Sequence, residues 1–381
     1  MKIFIEEPLH GSGRGGVTAY TRRMTSLISA MDPGNDYRLF TYYFGHQPDV
    51  EARLAPPPGA RWRRHHVRVP ERLVRRLEWG WKVPVVESYL KARGAALYHC
   101  HRIPATARVP IVTTVHDLFT VVHPEWNSRW MIDLYAQIIR PGLARADRIL
   151  AVSESTKSSL VERWNVPPER IQVTLEGVDG AVFKPLPKEA LAAARAQYRL
   201  PERYLMMVGP FDPWCDPRWT LEALARLPAH LGDVGLVMAG PRGSLYEDSV
   251  RRAEELGLSR RVKWLGYIPQ ADLVAAYNGA QALMFASGYE GFGLPVLESM
   301  SCGTPVVTSR SGALPEVAGG AALLVDYDSV DQLAAAMTQA LDDGAVRADL
   351  REKGLRRAAA LPWEKTAKET LAVYRSVTGS S

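Results

Sequence analysis

Apolar runs of four to six residues, rich in β-branched and aromatic side chains, alternate with longer amphipathic stretches along the whole chain. Residues 2–5, 38–43, 96–100, 111–115 and 149–152 are such runs, and helical patterns such as residues 18–30 lie between them. Runs this short and this uniformly apolar suit strands buried on both faces of a parallel sheet. The alternation predicts a doubly wound α/β architecture. It stops at Leu175-Glu-Gly-Val-Asp-Gly-Ala-Val-Phe-Lys-Pro-Leu-Pro-Lys188, where two glycines and two prolines end regular structure. It then restarts at 204–208, 234–239, 262–265, 282–285, 305–308 and 322–325.

A length of 381 residues fits two domains of about 150–200 residues each. The expected units are residues 1–180 and 181–362, with an amphipathic helix in 363–381 packing back on the first. Two parallel sheets in tandem predict a cleft, and ligands bind beyond the carboxyl ends of such strands. The chemistry is therefore sought where strands end.

Hydrophobic content of 46% and charged content of 23% are globular values. No run of 18 apolar residues predicts a transmembrane helix, and Met1-Lys-Ile-Phe-Ile-Glu-Glu7 lacks the order of a signal peptide. Three distant cysteines, Cys100, Cys215 and Cys302, suggest neither a disulfide framework nor a zinc site, and a cytoplasmic protein is expected. The net charge of +6 is concentrated early: residues 61–82 carry eight basic and two acidic side chains. Two readings stand, a solvated basic helical face or a patch meeting anionic lipid at the inner membrane face. No nucleic-acid motif accompanies the charge.

The first strand runs into Gly11-Ser-Gly-Arg-Gly-Gly16 and a helix. A glycine loop lets backbone approach a phosphate at the free amides of a helix start. A dinucleotide site also needs an acid after the second strand, and Phe44-Gly-His-Gln-Pro48 supplies none. The strand 111–115 ends in His116-Asp117. An imidazole there can exchange hydrogen bonds with a sugar hydroxyl, or be a buried histidine held by its neighbour Asp117. His99-Cys-His101 has no third metal ligand nearby in sequence and is read as lining of the cleft.

The strongest signal is Ala286-Ser-Gly-Tyr-Glu-Gly-Phe-Gly-Leu-Pro-Val-Leu-Glu-Ser-Met-Ser-Cys-Gly303. A strand ends, a glycine-rich loop carries Glu290, and a helix starts at Pro295. Glu298 lies one turn in, and Gly303 suits the carboxyl cap. Free amides suit a phosphate and carboxylates suit sugar hydroxyls. A nucleotide sugar needs both. Asp326-Tyr-Asp328 resembles a metal-binding D-x-D but opens a helix near Val330, so helix capping is expected there.

The spacing from Glu290 to Glu298 resembles the E-x-x-x-x-x-x-x-E element of retaining GT-B glycosyltransferases, and its surroundings resemble glycosyltransferase family 4. The likeness extends through Gly15-Gly16, Thr114-Val-His116-Asp117, Asp147-Arg-Ile-Leu-Ala-Val-Ser153, Glu176-Gly-Val-Asp179, Gly240-Pro-Arg-Gly243, Leu265-Gly-Tyr267 and Trp363-Glu-Lys-Thr366. The resemblance implies two Rossmann-like domains facing each other across a cleft. It implies a retaining, metal-independent transfer of a sugar from a nucleotide-sugar donor to a saccharide, lipid-linked or small-molecule acceptor. It places Glu298 on the ribose hydroxyls, Glu290 on the sugar hydroxyls and His116 beside the donor sugar, these last two being the catalytic pair. Gly15 and Gly16 would line the phosphate and acceptor side. Gly209, Gly291, Phe292, Gly293 and Leu294 would line the donor site, and Tyr267 would border the base. No cofactor or metal is expected.

The likeness fails at Val208-Gly-Pro-Phe-Asp-Pro-Trp-Cys-Asp-Pro-Arg-Trp219. The family has an Arg and a Lys there that clamp the donor diphosphate, and without gaps they fall on Pro210 and Cys215. Losing two charge-assisted hydrogen bonds costs roughly 3–6 kcal/mol, a factor of about 10² to 10⁴ in affinity. Arg14, Arg218 or Arg242 could replace them, or the donor could be unusual. The rival readings are a sugar-nucleotide epimerase or phosphorylase on the same architecture, and a relative that binds sugars or acts as a scaffold.

Overall fold

A computed structural model describes residues 1–7, 16–42, 56, 59–70, 73–74, 76–101, 103–104 and 109–379. The chain divides into two compact units. One is Met1–Glu176 together with Trp363–Ser381, and the other is Gly177–Pro362.

Among its described residues the first unit holds seven strands: β1 (Lys2–Glu6), β2 (Asp36–Tyr42), β3 (Trp62–Val67), β4 (Ala95–Cys100), β5 (Ile111–Val115), β6 (Arg148–Ala151) and β7 (Ile171–Val173). They lie in the order β3-β2-β1-β4-β5-β6-β7, all parallel. Phe4, Tyr98, Ile111 and Ile149 are buried in its core. Two of these strands carry no apolar run. Strand β7 is three residues long, and β3 reads Trp-Arg-Arg-His-His-Val. Both sit at sheet edges, where one side has no neighbouring strand and a continuous apolar run is not required. The basic segment is thus an edge strand where a helical face was one of the readings. It continues into a π-helical turn, Arg76–Gly80, followed by the 62% exposed Trp81. The guanidinium of Arg76 lies 5.1 Å from the Trp81 ring centre.

The helix Trp363–Thr378 buries Trp363, Thr366, Ala367, Thr370, Leu371 and Tyr374, a stripe at three- and four-residue spacing. That face packs against the helix Gly16–Met31, whose own buried stripe includes Tyr20, Met24 and Ile28. Burying a leucine such as Leu371 is worth about 1.5–3 kcal/mol. Thr366 fixes the register by donating to the carbonyl of Leu175 at 2.6 Å.

The second unit holds β8 (Tyr204–Val208), β9 (Gly235–Ala239), β10 (Val262–Gly266), β11 (Ala282–Phe285), β12 (Val306–Ser309) and β13 (Leu323–Val325). The order is β10-β9-β8-β11-β12-β13, again all parallel. All six coincide with apolar runs read from the sequence, to within two residues at each end. Strand order reverses between β1 and β4 in one sheet and between β8 and β11 in the other. Loops leaving the carboxyl ends diverge at such a switch point and open a crevice there. No described helix is long and apolar enough to cross a membrane.

One capping expectation is corrected. The helix Val330–Asp342 is capped by Ser329, whose hydroxyl accepts from the amide of Gln332. Asp326 instead pairs with Arg310 at 3.0 Å and accepts from the Gln332 side chain at 2.7 Å. The serine lies nearer the first free amides, so the acid is left for side-chain pairing. Gly303 adopts φ +75° just past the helix Leu294–Ser301, as a carboxyl cap requires.

Candidate functional site

In the first unit the site gathers at the ends of β4 and β5. His116 follows β5, and its Nδ1 lies 2.9 Å from Oε1 of Glu176. A carboxylate accepts only, so Nδ1 carries the proton, and in the neutral ring Nε2 is left as an acceptor. The edge of the Tyr20 ring meets the imidazole at 4.7 Å, and His101 stacks on it at 5.4 Å. Nε2 itself is buried without a hydrogen-bond partner. The reading in which Asp117 holds His116 is therefore overturned. Asp117 accepts from the amide of Phe119 at 2.9 Å and so begins the next turn, and burial raises its carboxyl above the ordinary value.

The pair His99 and His101 also divides. His99 is buried, with Nδ1 2.5 Å from the Tyr374 hydroxyl and Nε2 2.8 Å from that of Thr114. Burial, helped by the nearby His116, pushes it down to about 3, so it stays neutral. It is an internal strut rather than lining. His101 does line a cavity, and its Nε2 lies 3.0 Å from the Thr21 hydroxyl. Gly16 opens the helix Gly16–Met31 on the exposed side, with no atom near the place of a Cβ. Gly15 and Arg14 lie outside the described residues.

In the second unit the expected residues collect on loops leaving β8, β9, β10 and β11. The loop after β11 is held by its neighbours: Ser287 donates to the carbonyl of Trp214 at 2.9 Å, as does the amide of Gly288 at 2.6 Å. The amide of Ala313 donates to the carbonyl of Glu290 at 2.9 Å. Gly312, at φ +56°, lies so close that a Cβ there would sit 2.4 Å from that carbonyl oxygen. These contacts fix the backbone from which the partly buried Glu290 projects. Gly291 and Phe292 are buried, and Gly293, at φ +105°, precedes Leu294, the first residue of the helix Leu294–Ser301. No side chain caps that helix; Pro295 has no amide hydrogen and the Val296 amide donates to the Gly293 carbonyl at 3.0 Å, which leaves the amides at Gly293 and Leu294 as those placed to meet a ligand.

Glu298, on the same helix, accepts from the hydroxyl of the buried Tyr277 at 3.1 Å. Burial pushes its carboxyl up to about 7, against the hydrogen bond from Tyr277. Tyr267 stands 62% exposed just after β10. Among the described residues, no three His, Cys, Asp or Glu side chains are grouped to hold a metal ion.

The segment after β8 departs from the clamp pattern in a specific way. Cys215 is fully buried in the core with Leu205, Met207 and Leu221. Its Sγ lies 2.9 Å from where a Cβ on Gly209 would be. Burial, and then the charge of Glu290, raises its thiol well above the ordinary value. Asp216 caps the helix Pro217–Ala225 and binds the Arg218 guanidinium at 2.6 Å. Arg242 lies over the Tyr246 ring at 4.4 Å. Arg218 is thus held by its own helix cap, and Arg242 is stacked on the ring of Tyr246, the first residue of the helix Tyr246–Glu255.

Glu176 is the functional residue that local reading passed over, because its partner lies 60 residues away. Its only sequence signal was membership of the Glu176-Gly-Val-Asp179 stretch.

Two family descriptions between them cover residues 14–357. The one for glycosyl transferases group 1 matches residues 177–357, and the one for Glycosyltransferase Family 4 matches residues 14–181. O-antigen chain mannosyltransferase B of Escherichia coli is 31% identical over 307 residues, which is 80% of this chain and 78% of that protein. A D-inositol 3-phosphate glycosyltransferase of Salinispora tropica is 33% identical over 286 residues, 70% of this chain but 59% of that protein. Among solved structures, Anabaena Alr3699/HepE in complex with UDP and glucose aligns with a TM-score of 0.72. That match covers 99% of each chain at 19% identity, a likeness that shows a shared fold.

Proposed function

The chain belongs to the GT-B glycosyltransferases of the group 1 and family 4 type, and on that premise we propose that it moves a sugar from a nucleotide-sugar donor with retention of configuration and without a metal. The donor is held by residues 177–362 and the acceptor by the unit containing residues 1–176. The observation that carries this reading is the loop and helix of Glu290 and Glu298. A buttressed glycine loop delivers one carboxylate, and an uncapped helix start with the second carboxylate follows at once.

In this reading the amides at Gly293 and Leu294 meet the donor phosphates, where the helix dipole favours negative charge. The Glu298 carboxylate accepts from the ribose hydroxyls, and Glu290 accepts from hydroxyls of the sugar. Tyr267 borders the base. His116 presents Nε2 to a hydroxyl at the reacting centre, oriented by Glu176. The acceptor oxygen attacks the anomeric carbon as the bond to the phosphate breaks, and the departing phosphate takes the acceptor's proton. The UDP-bound relative supports a nucleotide donor, and the named mannosyltransferase supports a saccharide product.

Charge for the diphosphate has to come from residues other than those at 210 and 215. The candidates are Arg218, now bound to the Asp216 cap, and Arg242, now stacked on Tyr246.

The test is Glu290→Gln in the full chain, assayed against a panel of nucleotide sugars. Turnover is expected to fall about 10²-fold or more, the loss seen when a preorganised group at the reacting centre is removed. The melting curve should stay in place. Turnover equal to that of the parent removes Glu290 from the site.

A further inference from the structure

We infer that the segment after β3, residues 68–83, is the surface by which the first unit sits on a membrane of anionic lipid. Such a contact is separate from the transfer of a sugar and holds whatever the chain's reaction. Among the described residues six large apolar side chains stand exposed, and three of them fall in this segment: Leu73 at 48%, Trp81 at 62% and Val83 at 40%. Exposed apolar groups gathered in one place mark a site of association. Arg68, Arg76 and Lys82 are exposed in the same segment.

The acidic side chains here are turned inward. Glu78 is buried, its Oε1 accepting from the Val86 amide at 2.6 Å, and Glu87 is buried as well. Glu71 lies outside the described residues. Among the described residues of the segment the exposed charge is therefore all positive. Backbone bonds hold this arrangement: the amide of Trp81 donates to the Arg76 carbonyl at 3.1 Å, and that of Val83 to the Leu77 carbonyl at 2.9 Å. Val74 and Val86 anchor the chain on either side in the apolar core. Trp81 and its neighbours thus face water from a fixed backbone, so little order is lost when they meet a partner.

A lipid surface fits this mixture. It offers phosphate to the cations and, just beneath, hydrocarbon to Trp81, Leu73 and Val83. The Arg76 guanidinium lies 5.1 Å from the Trp81 ring centre, so the charge can stay among the phosphates as the ring enters the interface. Nucleic acid would engage the cations but leave the aliphatic Leu73 and Val83 in water. A second copy of the same patch would be repelled by its like charge. Each cation beside an anionic bilayer is worth about five-fold in partitioning, so the three together contribute about 10²-fold.

The experiment sediments the full chain with vesicles of phosphatidylglycerol and phosphatidylcholine, or of phosphatidylcholine alone. Partitioning onto the anionic vesicles is expected to be stronger by about 10²-fold or more, and to fall as salt is raised. Trp81→Ala should weaken it by about ten-fold or more, and Arg76→Gln with Lys82→Gln by about 25-fold. Lys353→Gln with Arg356→Gln removes the same charge from the exposed face of the helix Gly344–Ala359 in the second unit and should leave partitioning within about two-fold. All of these side chains are exposed, so each variant should melt like the parent. Equal partitioning onto the two kinds of vesicle overturns the assignment, as does none onto either. So does unchanged partitioning in either variant of the segment, or a loss in the second-unit variant as large as theirs. Poly(U) held by the parent while vesicles stay unbound would make the segment a nucleic-acid site and overturn it also.

Discussion

Glu298→Gln should flatten the dependence of stability on pH in the unit Gly177–Pro362. Burial lifts the Glu298 carboxyl from an ordinary 4.5 to about 7. A folded-state value above the unfolded one means that the native state binds the proton more tightly, so the stabilisation is complete below about 4.5. It is lost progressively as the pH rises and is gone once the pH passes about 7. At about 1.36 kcal/mol for each pH unit over that window, the loss amounts to about 3 kcal/mol. For a unit of this size, 1 kcal/mol moves the melting midpoint by about 2–4 °C, so about 6–12 °C is at stake. Glutamine keeps an oxygen for the Tyr277 hydroxyl and carries no charge to bury. Calorimetric melts of parent and variant should coincide near pH 4.5 and separate above pH 7, the variant melting higher by that amount. Nucleotide binding should move the opposite way, because the ribose hydroxyls require the carboxylate; the parent should bind more tightly as the pH passes 7, and the variant weakly throughout. Melting curves that run parallel from pH 4.5 to 8.5 would refute the burial of this carboxyl and the reasoning built on it.

Two further outcomes follow from the loops around Glu290. Cys215→Lys should lower the stability of its unit by about 3–5 kcal/mol, because the ammonium has to enter an apolar core beneath Gly209; an unchanged midpoint with tighter nucleotide diphosphate binding would mean that the side chain escapes to the donor. Gly312→Ala forces a Cβ to within 2.4 Å of the Glu290 carbonyl oxygen, at a positive φ as well. The loop that carries Glu290 must shift, and turnover should fall about 10²-fold, as a displacement near 1 Å can bring; turnover within two-fold of the parent would show that the Glu290 backbone is not held there.

The Glu290–Glu298 element was legible because everything that builds it is local. A strand end, glycines, a proline and two acids lie within one stretch, and the helix start they announce is where the structure has it. The alternation of apolar runs was local in the same sense, and it located eleven of the thirteen strands among the described residues. The two it missed, Trp62–Val67 and Ile171–Val173, lie at sheet edges, where half the demand for apolar residues is absent. The clamp departure was visible as missing charge, but its physical form was not. No neighbouring residue announces that Cys215 lies in the core or that Arg218 folds back onto Asp216.

By itself the sequence determined two parallel-sheet units and a carboxylate-bearing loop on the second, because periodicity and turn chemistry act over a few residues. The tertiary structure alone decided which partner each polar group takes. Glu176 reaches His116 only because the strands β5, β6 and β7 lie side by side, and His99 finds Tyr374 only after the last helix returns to the first unit. Those pairings join residues 60 and 275 positions apart. They rest on the packing of whole elements, and that packing leaves Nε2 of His116 without a partner.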